Sequence, residues 1–288
     1  MELFITPEID QLLRAALQED VGAGDLTTLS TVPANLQGQG LFRAKGDQVV
    51  AGLPLLERIF AIIDPAVRVS YLVHDGEVVR PGTVVAEAEG PVRGLLMGER
   101  TALNFVQRLS GTATLTRTYV DAVRGFPCKI IDTRKTTPGL RGLEKYAVRM
   151  GGGTNHRLGL YDAALVKDNH IVAAGSIARA VDAVRRNAPF MAPIEVECAT
   201  LSQVEEALNA KVGVIMLDNM KIEDMAAAVN LIAKRALVEA SGGITLESVR
   251  AVAATGVDFI SVGALTHSAP AGDFNMKIKA DPRGGSTA

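Results

Sequence analysis

From about residue 125 onward the chain alternates six short apolar runs with amphipathic segments, and this alternation limits the fold more than any other feature. The runs are Lys129 to Asp132, Ala163 to Lys167, Ile194 to Glu197, Gly213 to Leu217, Leu237 to Ala240 and Phe259 to Val262. Continuous apolar runs of this length suit parallel strands covered on both faces. Helical patterns fall between them, at Ser176 to Arg186, Ser202 to Ala210, Ile222 to Ala233 and Leu246 to Ala253. Six βα units in succession predict an α/β fold of the TIM type whose barrel is incomplete, since eight strands are not visible. A doubly wound open sheet is the topological alternative.

The preceding hundred residues read as mixed structure. Helices are predicted near Glu8 to Glu19 and Pro54 to Ile63, and strands at Leu41 to Ala44, Val67 to Val73 and Thr83 to Ala88, with Asp75-Gly76 and Pro81-Gly82 as turns. That is the pattern of a compact α+β domain. Leu95 to Val123 has helical spacing, with a break or bend expected at Ser110-Gly111. The boundaries that follow are an N-terminal domain over 1–112 and the barrel over 113–271. A final strand at about 272–280 is expected to return to the N-terminal domain, and the tail 281–288 has a composition that stays disordered.

Composition excludes several classes. At 288 residues, 48% hydrophobic and 22% charged, the chain can bury a core without staples. No signal peptide or run of about 18 apolar residues is present, so no membrane association is expected and a cytoplasmic protein fits. Cys128 and Cys198 have no paired spacing, which argues against a disulfide framework or structural zinc. The formal net charge is only −2, yet Thr133 to Tyr161 holds six cations against one carboxylate. A local cationic excess in a balanced protein without tryptophan points to a small, highly charged anion rather than to nucleic acid.

In a βα barrel the working residues stand at the C-terminal ends of the strands. Here those ends read Asp132-Thr133-Arg134-Lys135, Lys167-Asp168-Asn169-His170, Glu195-Val196-Glu197, Asp218-Asn219, Ser241-Gly242-Gly243 and Gly263-Ala264. Each alone can be a cap or a turn; all six together are harder to explain that way. Ser241-Gly242-Gly243 and Gly263, after the last two strands, are what a backbone phosphate cradle needs. Glu197 and Asp218 can hold a hydrated Mg2+ chiefly through substrate oxygens, or form salt bridges with Lys167 or Arg134. Lys167 resembles a Schiff-base lysine, although its cationic surroundings favour a role in binding an anion. His156-Arg157 follows the Gly151-Gly152-Gly153 run and offers an acid or base and a planar fork for a carboxylate or phosphate; a solvated surface loop is the alternative. Arg141, Lys145 and Arg149, four apart, read as one face of a helix and are set apart from the site. Cys198 alternates to the opposite face from Glu197 and reads as core.

Several of these runs, with others, carry a resemblance to a known family. Glu99-Arg100-Thr101-Ala102-Leu103-Asn104, Asp132-Thr133-Arg134-Lys135-Thr136, Gly151-Gly152-Gly153 through Asn155-His156-Arg157, and Lys167-Asp168-Asn169-His170 match, as do Glu195-Val196-Glu197, Leu217-Asp218-Asn219, Glu239-Ala240-Ser241-Gly242-Gly243 and Ser261 through His267. The chain resembles the quinolinate phosphoribosyltransferases, also called carboxylating nicotinate-nucleotide pyrophosphorylases, from Gly24 to His267. The resemblance implies an N-terminal α/β sandwich domain, an incomplete α/β barrel and a homodimer with shared active sites, which in some members assembles further. It implies that quinolinate and phosphoribosyl pyrophosphate are converted to nicotinate mononucleotide, pyrophosphate and CO2, a step of NAD biosynthesis.

By the same resemblance Arg100 would reach into the neighbour's site, and Arg134, Lys135, His156, Arg157 and Lys167 would bind the carboxylates and phosphates. Glu197 and Asp218 would contact ribose and magnesium. Ser241, Gly242, Gly243, Val262, Gly263, Ala264 and His267 would surround the 5′-phosphate, with Thr133 also at the substrate. Lys135, Lys167, Glu197 and Asp218 are the residues expected to take part in catalysis. Three other readings compete: a paralogue associated with molybdenum transport, a Schiff-base aldolase using Lys167, and a non-enzymatic sugar-phosphate sensor.

Overall fold

The computed structural model describes residues 3–281, and the chain divides into two compact units. The first comprises residues 3–115, 149–151 and 269–281; the second comprises 116–148 and 152–268.

The first unit opens with α1 (Pro7–Val21), where the Thr6 hydroxyl accepts the Ile9 N–H and Pro7 takes a first-turn position that needs no donor. Asp25 caps α2 (Leu26–Thr31) in the same manner. There follow β1 (Gln37–Ala44), β2 (Gln48–Val49), α3 (Pro54–Ile63), β3 (Arg68–Tyr71), β4 (Val78–Val79), β5 (Val84–Pro91) and the long helix α4 (Val92–Ala122). The last strand of the chain, β12 (Phe274–Asp281), pairs antiparallel with β1 along its full length, in a sheet of order β12-β1-β5-β3. α3 buries Leu55, Leu56, Ile59 and Phe60. Phe60 meets Phe42 of β1 edge to face, with ring centroids 6.1 Å apart. Asp281 ends β12, and residues 282–288 of the tail expected to be disordered lie outside the described residues.

α4 runs through Ser110-Gly111 without the expected interruption. Ser110 is buried and its hydroxyl accepts the Ala51 N–H at 3.0 Å, so its polarity is spent on another segment rather than on breaking the helix. Gly111 serves close approach: a Cβ there would stand 1.9 Å from the Pro270 carbonyl oxygen.

The second unit contains β6 (Lys129–Ile131), α5 (Arg141–Met150), β7 (Ala164–Val166), α6 (Asp168–Ala174), α7 (Ile177–Asn187) and β8 (Ile194–Cys198). After these come α8 (Leu201–Asn209), β9 (Val214–Asp218), α9 (Ile222–Ile232), β10 (Leu237–Ser241), α10 (Val249–Ala254), β11 (Phe259–Ser261) and α11 (Ala264–His267). All six strands are parallel, in the order β6-β11-β10-β9-β8-β7. From β7 to β11 the strands follow chain order, and β6 pairs with β11. The winding never reverses, which rules out the doubly wound alternative and leaves a singly wound barrel open between β6 and β7. On the β6 side of the gap Thr154 makes one parallel bridge to Ile131. Its N–H donates to the Ile130 carbonyl at 2.9 Å, and its own carbonyl accepts the Asp132 N–H at 3.2 Å.

Asp132, just past β6, is fully buried and ion-paired with Lys145 of α5, itself 1% exposed. The Asp132 carboxylate also accepts Asn155 Nδ2 at 2.6 Å and the His156 N–H at 2.9 Å, while Lys145 Nζ donates to the His156 carbonyl at 3.1 Å. Burial pushes the Asp132 carboxyl up and the Lys145 ammonium down, and the pairing opposes both shifts. The helix expected to carry Arg141, Lys145 and Arg149 on one face is present, but the three do not share one environment. Arg141 is half-buried, Lys145 buried and Arg149 exposed. Four residues exceed one turn of 3.6, so eight residues swing the side chain by roughly 80° around the axis.

Two stability predictions follow from these packing facts. Gly111→Ala adds about 1 kcal/mol of helix propensity, but its methyl meets backbone. A net loss of about 1–3 kcal/mol is expected, read as a lower urea midpoint at unchanged slope. Lys145→Met leaves Asp132 buried without its cation and is expected to cost about 3–5 kcal/mol in the same measurement.

Candidate active site

The C-terminal strand ends of the second unit surround a cavity of about 400 Å3. A larger cavity of about 500 Å3 against β7, α6 and α7 is walled mainly by apolar groups, with only Arg157 and His170 ionisable. The smaller one collects the chemistry. Thr133, Arg134 and Lys135 reach it from the loop after β6, His156 and Arg157 from the bridging segment, and Lys167 from the end of β7. Glu197 enters from β8, Asp218 from β9, and Ser241, Gly242 and Gly243 from the end of β10. The cations thus come from the loops on either side of the open edge, and the two carboxylates from strands further round.

Lys167 Nζ is ion-paired with Glu197, one of the two arrangements left open by the sequence. The Lys167 backbone N–H donates to His170 Nδ1 at 2.9 Å, so His170 closes the first turn of α6 and sets where Lys167 leaves the strand. Asp218 accepts Asn219 Nδ2 at 2.8 Å. Arg134 is half-buried, and its Nη1 is shielded from solvent with no acceptor among the described residues. A buried guanidinium nitrogen left unpaired costs free energy unless something else supplies the acceptor. Arg157 donates from Nη1 to the Ala163 carbonyl at 3.0 Å.

Gly242 has φ +93°, and a Cβ there would lie 2.2 Å from the Asn219 side chain. Asn219 itself takes a left-handed φ of 53°, a conformation that asparagine tolerates better than most residues. This locking of two loops keeps the backbone after β10 close to the cavity. Gly263 lies beside Lys135 and His267: a Cβ would stand 3.0 Å from Lys135 Cδ and 3.2 Å from His267 Nε2. Val262 is buried, Ala264 begins α11, and His267 is exposed with Nδ1 2.6 Å from Ser268 Oγ. These four residues adjoin the site without lining the cavity. Arg100 is exposed on α4 in the first unit. Cys198 is fully buried, and burial pushes its thiol up to about 12, as a core position requires.

Sequence reasoning assigned no role to Leu165, Met216, Asn219, Glu239 and Ser261, which also line the cavity, or to Glu195 beneath it. Glu195 Oε2 lies 3.1 Å and Glu239 Oε2 3.4 Å from His156 Nε2, and all three side chains are largely buried. Burial disfavours a charged imidazole, while the hydrogen bonds to Glu195 and Glu239 hold a proton on Nε2; burial raises the pKa of Glu239. The signal for Glu195 was in the sequence: a period of two puts Glu195 and Glu197 on one face of β8.

Comparison with known proteins identifies the family. The model of the quinolinate phosphoribosyl transferase C-terminal domain matches residues 112–277, and that of the N-terminal domain matches residues 25–110. A probable nicotinate-nucleotide pyrophosphorylase [carboxylating] of Synechocystis is 50% identical over 273 residues, covering 94% of this chain and 92% of the relative. A tobacco quinolinate phosphoribosyltransferase [decarboxylating] is 40% identical over 292 residues, covering 95% and 83%. The crystal structure of NadC from Streptococcus pyogenes superposes with a TM-score of 0.94 at 43% identity, over 98% of this chain and 99% of that one. With both domain models matched and identities of this size over nearly the whole length, the chain belongs to the quinolinate phosphoribosyltransferase family.

Proposed function

We propose that this chain transfers the phosphoribosyl group of phosphoribosyl pyrophosphate to the nitrogen of quinolinate, with loss of pyrophosphate and CO2, to give nicotinate mononucleotide for NAD biosynthesis. The observation that carries this reading is the grouping of Arg134, Lys135, Arg157 and Lys167 around one cavity, with an unpaired buried nitrogen on Arg134. Quinolinate is a dianion and the sugar pyrophosphate carries several further charges. Bringing both into one cleft requires preorganised cations, and side chains fixed on strand ends supply them without reorganising during reaction.

In this reading Arg134, Arg157 and Lys167 hold the two carboxylates of quinolinate, with His156 beneath them. The glycine loops after β10 and β11, including Ser241, Gly242, Gly243 and Gly263, give backbone N–H groups to the 5′-phosphate. Lys135, beside Gly263 and His267, faces the phosphate end. Glu197 and Asp218 offer hard oxygen donors, and Asp218 is free of any cation among the described residues, which fits a hydrated Mg2+ held partly through substrate. Bound there, the ion would neutralise pyrophosphate charge. The pyridine nitrogen forms its bond to the ribose C1 as the C1–O bond to pyrophosphate breaks, and Glu197 or Asp218 faces the positive charge that develops on the sugar. The ring nitrogen is then cationic. Its positive charge stabilises the electron pair left on C2 when the adjacent carboxylate departs as CO2, and that pair then takes up a proton. No protein nucleophile is needed, and an aldolase role for Lys167 is disfavoured by its ion pair with Glu197.

The open edge between β6 and β7 supports a homodimer in which a second copy covers that side and contributes its Arg100. Exposed Leu158, Leu160, Tyr161 and Val172, from the segment before β7 and from α6, give the face an apolar component. No helix among the described residues is long and apolar enough to cross a membrane, and both cysteines are free and buried, which goes with a cytoplasmic setting.

The primary test is conversion of carboxyl-labelled quinolinate by the purified protein with Mg2+ and phosphoribosyl pyrophosphate. Nicotinate mononucleotide, CO2 and pyrophosphate are expected in equal amounts. Pyrophosphate release only with another acceptor would favour the paralogue associated with molybdenum transport, and binding without release would favour a sensor. Arg134→Ala is expected to weaken quinolinate binding by about 2–5 kcal/mol, the cost of leaving a buried carboxylate without its charged partner. Unchanged affinity in a calorimetric titration would remove Arg134 from the site.

A further inference from the structure

His156 is encircled. Its ring Nδ1 accepts the Arg157 backbone N–H at 2.6 Å, which leaves Nδ1 without a proton and puts the ring hydrogen on Nε2. Nε2 points at Glu195 and Glu239, at 3.1 Å and 3.4 Å. The main chain of the same residue is held by Asp132 through its N–H and by Lys145 through its carbonyl. Both ring nitrogens are therefore committed to protein atoms, and the imidazole has no N–H left to offer a substrate carboxylate. Arg157, one residue on, is free to do so. Its backbone is tied to the ring, its Nη1 to the Ala163 carbonyl, and it lines the cavity.

We infer that Glu195 and Glu239 are positioning residues for the quinolinate end of the site: they clamp the His156 ring, and the ring, through its bond to the Arg157 N–H, aims the Arg157 guanidinium into the cavity. Each carboxylate keeps a second oxygen that is buried and has no partner among the described residues. Hydrophobic residues would be cheaper at these two strand positions if packing alone were at stake. A metal ion bound by the same three side chains would need a lone pair on Nε2, and the bond from Arg157 to Nδ1 leaves that nitrogen carrying the hydrogen instead. The inference rests on the reading of quinolinate as the substrate.

The test is a double-mutant cycle on the full-length protein, read by direct titration with quinolinate and separately with phosphoribosyl pyrophosphate. Glu239→Ala is expected to weaken quinolinate binding about tenfold or more while leaving the sugar pyrophosphate within about threefold. Glu239→Gln, which keeps an acceptor for the Nε2–H, is expected to restore most of the loss, and Glu195 variants to follow the same order. If Glu239 acts through Arg157, the double variant Glu239→Ala/Arg157→Ala binds quinolinate no more weakly than Arg157→Ala alone. The Gln variants keep the experiment readable if the Ala variants fail to fold: a Glu195→Gln/Glu239→Gln protein should bind quinolinate within about threefold of the parent.

Several results would overturn the inference. Tighter quinolinate binding on losing a carboxylate would mean that charge, rather than position, is the role. Additive losses, an equal loss for the sugar pyrophosphate, or a large loss in the double Gln protein would also sink it, as would a stoichiometric metal ion lost with Glu239→Ala. A parent protein that binds no quinolinate at all would instead sink the substrate reading, so the two failures are distinguishable.

Discussion

Asp132 carries more of this molecule than its position suggests. A carboxylate with no solvent exposure must find donors or lose its charge, and this one finds three on two separate pieces of chain: Lys145 of α5, and the Asn155 side chain with the adjoining His156 N–H. The segment at 154–156 would otherwise cross the open side of an unfinished barrel with only one bridge to β6. Because Asp132 immediately precedes Thr133, Arg134 and Lys135, the same anchor fixes the start of the first cationic loop. Lys145 returns a hydrogen bond to the His156 carbonyl, so the two cation-bearing segments are referenced to one buried charge pair. The cost of burying that pair is the cost of holding the arginines still.

The architecture was legible because the barrel writes itself into the sequence at a coarse grain. Ile194 to Glu197 and Leu237 to Ala240 are apolar where both faces are covered and turn polar at one end, and the observed strands β8 and β10 each extend only one residue further. Phe274 onward has alternating character, and its partner β1 has a glycine, Gly40, where Met276 packs close. What stayed hidden were features set by contacts distant in sequence. Gly111 looked like a helix breaker, although its role lies 159 residues away at the Pro270 carbonyl. Lys145 looked like one of three cations on a helix face apart from the site, because spacing reports direction around a helix, not what stands opposite.

The site shows the same division. Arg134, Lys135, Lys167, Glu197 and Asp218 stand at strand ends, where the barrel itself selects for function, and all five line one cavity. Glu195 and Glu239 lie deeper, at β8 and β10 positions that would hold aliphatic residues if packing alone decided. Spacing puts Glu195 on the same face of β8 as Glu197 but does not say what it meets: its partner His156 arrives from a loop 39 residues earlier. Val262, Gly263, Ala264 and His267 sit beside the cavity instead of in its wall, whereas Gly242 and Gly243 line it.

Buried polar atoms without partners are costly, so where a fold tolerates them is informative. In the second unit, Arg134 Nη1 and one oxygen each of Glu195 and Glu239 fall at or beneath the same cavity. They differ in sign and hence in meaning. An unpaired guanidinium donor is complementary to a carboxylate, which is what the proposed substrate carries twice. The unpaired oxygens have nothing to accept from quinolinate, which has no hydrogen to donate at neutral pH, so substrate contact does not account for them. The other oxygen of each carboxylate faces the imidazole that holds Arg157, so these two side chains are accounted for by the residue behind the guanidinium and not by the ligand in front of it.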